Sequence, residues 1–236
     1  MPRRDPPFPC QVVRHRGARR ITLRVSLAGV RLTVPPRTSP RQVEEFLRGQ
    51  AGWVAEQRAR LGPPPAPLAP GDRLALLDGG LELALGPPAG RSAARREDGR
   101  LVARLGPGGD LDRLVERWYR REAGRVLGAR SRALAARLGA TVAAVTIRDP
   151  RSRWGSCATS GRLSYSWRLL LAPEAVLDYV VAHEVCHLLR PDHSAAYWGL
   201  LGEVAPGFCA QRAWLRDHGE RLRLGPAWRE RGLSPA

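Results

Sequence analysis

Residues 180–198 read VVAHEVCHLLRPDHSAAYW. Three of the chain's five histidines, His183, His187 and His193, lie in this stretch, and Glu184 directly follows the first. On an α-helix, residues four apart project from one face, one turn apart. His183 and His187 can therefore both reach one ion, while Glu184 sits beside that face and reaches a water without binding the ion. This is the H-E-x-x-H pattern, in which zinc lowers the pKa of a water towards ~7 and a carboxylate takes its proton. The alternative, two histidines bonded to carbonyls on a half-buried helix, gives no reason for the glutamate. A catalytic zinc takes three protein ligands and keeps one position open. His193 is the expected third, because Pro191 forbids further helix and lets the chain swing back. Glu203 and Glu220 are the weaker candidates.

The spacing from His187 to His193 equals that of the metzincins, but two features exclude that group. Arg190 stands where a turn glycine is required. Met1 is the only methionine, so no Met-turn can form.

The helix that must carry these residues begins at Pro173 and Glu174 and is expected to run until Pro191. Leu177, Val180, Val181, Val185 and Leu188 give it an apolar body, and Cys186 is expected as a buried thiol. Upstream, ATVAAVTIRD and RSRWGSC read as strands about an Asp149-Pro150 turn, and RLSYSWRLLL as another after TSG. In RSRWGSC, Arg153, Trp154, Gly155, Ser156 and Cys157 are candidates for substrate binding: the strand could offer its edge to an extended peptide, and Arg153 could polarise a carbonyl. Tyr197 and Trp198 read as packing residues, and His15 and His218 have no partner pattern.

Farther towards the N-terminus, residues 20–34 alternate apolar and polar and turn at Gly29, a hairpin with one buried face. Ser39, Pro40 and Gln42 open a helix with a capping box, which Gly62 ends. Residues 63–70, PPPAPLAP, read as a stiff connector. A second hairpin is expected about DGG between Leu74 and Leu85, then loop over 86–110 around one weak strand, RLVARL. From Leu111 to Leu138 the spacing is helical, with a break expected near Gly124 or Gly128, and one amphipathic helix with Trp214 and Leu215 closes the chain.

Composition bounds the reading. At 236 residues the chain can bury a substantial core without disulfides. Cys10, Cys157, Cys186 and Cys209 form no C-x-x-C pair, no apolar run approaches a membrane span, and the proline-broken start is not a signal peptide, so a cytoplasmic protein is expected. The net charge of +17 invites a nucleic-acid partner. The chain has no Lys and no Asn, however, and its wealth of Ala, Gly, Pro and Leu is the mark of GC-rich codons, so the arginines read first as solvated decoration.

RSRWGSC, WRLLLAP, DYVVAHEVCHLLRPDHSAAYW and AWLRDHG occur in the order found in the YgjP-like metallopeptidases, a group related to the WLM and SprT-like zincins. RRITLRVSLAGVRLTVPP and VEEFLRGQAGWVAEQ also resemble that family's N-terminal hairpin and helix. The resemblance implies an α+β fold, with a zincin-like core in which the HExxH helix packs on a small antiparallel sheet, preceded by a β-rich portion. It implies one domain over residues 12–222, with 12–110 as the β-rich portion, 111–222 as the catalytic core, and tails at 1–11 and 223–236. It maps zinc to His183, His187 and His193 and the general base to Glu184, and makes a peptide or protein the substrate. Asp192 departs from the Asn usual in the family. Two alternatives use the same site: metal-dependent hydrolysis of nucleoside triphosphates to monophosphates, and a SprT-like protease acting on DNA-associated substrates.

Overall fold

The computed structural model describes residues 7–26, 29–61, 66–150 and 153–225. They form two compact units, Met1–Pro64 and Pro65–Ala236, of mixed α and β structure.

In the first unit, β1 (Cys10–Arg14), β2 (Thr22–Ser26) and β3 (Gly29–Val34) make a sheet of order β1-β3-β2. The expected β2–β3 hairpin is antiparallel, with Leu23 opposite Leu32 and Val25 opposite Val30; its turn lies outside the described residues. β1 joins β3 in parallel, a pairing that no local sequence signal announces. One face of the sheet buries Val25, Val30, Leu32 and Val34 against Leu47 and Val54. Those two come from α1 (Pro40–Gly49) and α2 (Ala51–Leu61). The capping box forms as expected: Ser39 Oγ accepts from the Gln42 amide and the Gln42 side chain accepts from the Ser39 amide. The single helix expected here is two, parted at Gln50 between Gly49 and Gly52, where helix propensity is lowest. Its expected end at Gly62 and part of the proline-rich connector lie outside the described residues.

The second unit opens with a sheet of order β4-β5-β7-β6, from β4 (Arg73–Leu76), β5 (Gly79–Leu85), β6 (Ala93–Glu97) and β7 (Arg100–Arg104). The hairpin at DGG is present, whereas the single weak strand expected over 86–110 is a full β6–β7 hairpin. Its turn is Asp98-Gly99, both with positive φ (43° and 77°), the conformation a two-residue hairpin turn with Asp-Gly favours. α3 (Leu111–Arg137) runs unbroken through Gly124 and Gly128, correcting the expected break; neighbouring buried residues Ala123 and Leu127 hold it in the core. Tyr119 donates from its hydroxyl to the Ala75 carbonyl (2.5 Å), tying α3 to β4.

β8 (Ala144–Arg148), β9 (Gly155–Cys157) and β10 (Arg162–Ser166) form the sheet beside the histidine helix. Its order is β8-β10-β9, with β8 parallel and β9 antiparallel to β10, so the small antiparallel sheet expected is instead mixed. WRLLL, expected as strand, winds into a 3-10 turn (Trp167–Leu171) whose leucines are fully buried. α4 (Glu174–Cys186) follows and ends short of the expected Pro191. Nine of its thirteen residues are buried, and all but Glu184 of those nine are apolar or aromatic, so the helix packs on most of its circumference. It touches α3, β9, the 3-10 turn, α5 (Ala195–Val204) and α6 (Phe208–His218). Glu174 and Asp178 in its first turns pair with Arg130 of α3, acids where the helix dipole favours them. The one closing helix expected is thus two, α5 and α6.

Candidate metal centre

α4 delivers His183 and Glu184, and His187 is the residue that caps it. The Leu189 and Arg190 amides both donate to the Cys186 carbonyl (3.1 and 2.9 Å), which turns the chain out of the helix. A short segment through Pro191 then carries His193 back, and Ser194 caps α5 with its hydroxyl on the Tyr197 amide (3.4 Å).

One nitrogen from each of His183, His187 and His193 comes together, all within 4.8 Å of one another. His183 Nε2 and His193 Nε2 stand 3.5 Å apart. Zn–N bonds of about 2.0–2.1 Å in a tetrahedral shell put ligand nitrogens about 3.3 Å apart, so this donor set has the chemistry and nearly the spacing for zinc. The outer nitrogens of His187 and His183 are occupied, as ligand histidines require. His187 Nδ1 meets the Arg190 carbonyl at 3.0 Å, which only a protonated nitrogen can satisfy and which leaves Nε2 with its lone pair inward. His183 Nδ1 lies 2.8 Å from the Tyr197 hydroxyl, which itself donates to the His183 carbonyl (3.1 Å). With that hydroxyl proton committed, Nδ1–H is the donor and Nε2 is again free. Burial, then His187 and His193, hold His183 at a pKa of about 4, neutral as a ligand must be.

Glu184 lies against β9. The residue is only 5% exposed, and burial raises its pKa to about 7 against a smaller lowering from Arg153. The carboxylate lies directly on Gly155: a Cβ there would fall 2.5 Å from Oε1 and 2.6 Å from Cγ. Glycine is what allows β9 to approach this side chain.

A cleft of about 720 Å³ opens over the site, lined by His183, Glu184, His187 and His193 on one side and by residues 155–161 on the other. Of the RWGSC residues, Gly155, Ser156 and Cys157 reach the cleft. Trp154 packs instead against Gly219, where a Cβ would meet its ring at 2.7 Å, and Arg153 is exposed. Burial, and then Glu184, push the Cys157 thiol up, and burial pushes Cys186 up to about 11, so neither is an activated nucleophile. Glu203 lines a separate depression with Leu189 and Arg190, and neither it nor Glu220 belongs to the histidine cluster. His15 bonds the Gly17 amide locally and His218 packs on Trp214. Sequence reasoning assigned Tyr197 to packing alone. It is fully buried, but it also orients His183, a role only the unforeseen α5 makes visible.

The family model described as "YgjP-like, metallopeptidase domain" matches residues 19–218. Among solved structures, the metallopeptidase zymogen abylysin of Pyrococcus abyssi is similar at 21% identity and a TM-score of 0.35, over 42% of this chain and 98% of its own. No curated protein matches the chain.

Proposed function

The chain belongs to the YgjP-like metallopeptidase family, a family of metal-dependent peptidases, and from that premise we propose a zinc peptidase in which His183, His187 and His193 hold the ion and Glu184 is the general base. The observation that carries the reading is the convergence of three histidine nitrogens within 4.8 Å beside a buried, cleft-facing carboxylate. When bound, the ion supplies Lewis-acid polarisation of the scissile carbonyl and acidifies a water.

The chain's own residues do the rest. Glu184 takes a proton from the attacking water and returns it to the leaving amine; a pKa near 7 suits both directions of transfer at neutral pH. Tyr197, by bonding His183, keeps that ring turned with Nε2 towards the ion. An extended peptide lies along β9, which among the described residues pairs with β10 alone and leaves its other edge to the cleft. The family match spans both compact units, which supports one functional domain over residues 12–222. Among the described residues no helix is long and apolar enough to cross a membrane, and the four free thiols suit a reducing cytoplasm.

Triphosphate hydrolysis is the poorer reading. Among the described residues the cleft lining contains no arginine to hold a polyphosphate, whereas its strand edge suits a peptide. The test is Glu184→Gln with a peptide library: hydrolysis falls by about 10² to 10⁴ while one zinc per chain is retained. His193→Ala loses both zinc and activity. Undiminished hydrolysis by Glu184→Gln refutes the assignment.

A further inference from the structure

α6 sets Phe208 and Arg212 one turn apart on a single helix face. Both lie on Trp198 of α5: the Phe208 ring stacks on it at 5.7 Å and 16°, and the Arg212 guanidinium carbon stands 5.5 Å from its centroid. Trp198 is in turn 5.5 Å from the His193 ring and 6.5 Å from the His183 ring, and Tyr179 of α4 continues the row by stacking on Phe208 at 6.3 Å. Three helices thus build one aromatic shelf against the histidine cluster, with a guanidinium laid on it.

Arg120 and Arg168 lie over Trp167 in the same way, and both bond carboxylates, those of Glu116 and Asp149. Arg212 differs. Among the described residues no carboxylate pairs with it and no carbonyl accepts from it, and the residue is exposed, so its donors are open to a ligand. The metal centre gives no reason for this charge. A fixed cation beside a proposed cation site opposes the ion, and Arg212 acts on His183 in that sense.

We propose that Arg212 recognises a carboxylate of the substrate, an acidic side chain or the C-terminus of a peptide, a few residues from the bond that is cleaved; this rests on the peptidase reading above. The planar guanidinium presents a fork that matches a carboxylate with two parallel hydrogen bonds. Stacking on Trp198 fixes the fork beforehand, so less freedom is lost when the substrate binds. The guanidinium carbon is no farther from the His193 ring than the two 5.5 Å steps through Trp198 together. An extended peptide advances about 3.3 Å per residue, so a carboxylate about three residues from the scissile bond covers that distance. A polyphosphate calls for several converging cations, and among the described residues the cleft lining adds no arginine to this one.

The test uses the full zinc-loaded chain at about 150 mM salt, which screens distant charges, and alanine-rich decapeptides with a central Phe-Leu pair. One Glu or Gln stands two to four residues to either side of that pair, and each peptide is made with a free and with an amidated C-terminus. For the parent, the best-placed carboxylate should raise kcat/KM by about 10-fold over its amide counterpart. Arg212→Gln should bring that ratio to about 1 through KM, with kcat and zinc content kept. Arg212→Lys keeps the charge without the fork and should restore only part of the ratio. Arg96→Gln, the same charge change at an exposed position of β6, should leave the ratio at the parent value. A preference that follows Glu marks a side chain and one that follows the free terminus marks the C-terminus; either supports the proposal. If no peptide is turned over, the peptidase reading fails, and calorimetric affinities of the same peptide pairs for the parent and Arg212→Gln decide this inference by the same ratio. Equal use of acid and amide peptides by the parent, a preference that survives in Arg212→Gln, or an equal loss in Arg96→Gln overturns the proposal.

Discussion

Gly155→Ala tests whether the position of Glu184 matters beyond its presence. The added Cβ would stand 2.5 Å from Oε1, 2.6 Å from Cγ and 2.8 Å from Cδ of one buried side chain. Ordinary non-bonded carbon contacts lie near ~3.5 Å, so the carboxylate must retreat by about 0.7 to 1 Å. A displacement of that size costs about 10²-fold in rate, or ~2.7 kcal/mol of barrier, when the displaced group acts in the transition state. None of the three atoms nearest the added Cβ belongs to a histidine, so zinc content should stay at one per chain. Overpacking should also lower stability by ~1–3 kcal/mol, read as a modest fall in Tm. The assay is steady-state peptide hydrolysis with metal analysis of the same samples. The decisive comparison is Gly155→Ala/Glu184→Gln, which should be no slower than Glu184→Gln alone, because the three atoms nearest the added Cβ all belong to that side chain. Wild-type turnover in Gly155→Ala, or a further loss in the double variant, refutes this reasoning.

Two other substitutions probe the supports of the site and the fold. Tyr197→Phe keeps the buried ring and removes only the hydroxyl bonded to His183, so zinc affinity measured by chelator competition should weaken by about 10 to 100-fold with the circular dichroism spectrum unchanged. Gly99→Val forces a β-branched residue to a φ of 77° in the β6–β7 turn and should destabilise the chain by about 1–2 kcal/mol in thermal unfolding, without altering zinc content.

The candidate site was legible because its signal is local. H-E-x-x-H needs only helical spacing, and Pro191 signals the end of that spacing to any reader of the chain. The capping box at Ser39 and the β2–β3 hairpin were equally local. What sequence reasoning missed was non-local or weakly patterned. The parallel pairings of β1 with β3 and of β8 with β10 join strands far apart in the chain, and no alternation identifies a partner. AAYWGLLGEV has almost no polar face, so α5 gave no amphipathic signal; Ser194 as its cap was the clue that remained. The β6–β7 hairpin is arginine-rich, and only its Asp98-Gly99 turn announced it.

The early end of α4 changes what Pro191 does. The helix stops at Cys186, so the proline is not the residue that breaks it. Its effect falls on Arg190, because a residue before proline is held in extended backbone. The Arg190 carbonyl is the acceptor for His187 Nδ1, so Pro191 steadies a proposed ligand while also directing the chain towards His193. The three histidines are then supported unequally. His183 is fixed by a buried tyrosine from α5 and His187 by the backbone of its own turn, each through Nδ1. His193 is exposed and rests on ring contacts, with Trp198 at 5.5 Å and Tyr197 at 4.8 Å. With the ligand set proposed above, two of the imidazoles are oriented by the protein itself, and the third, His193, is the exposed one.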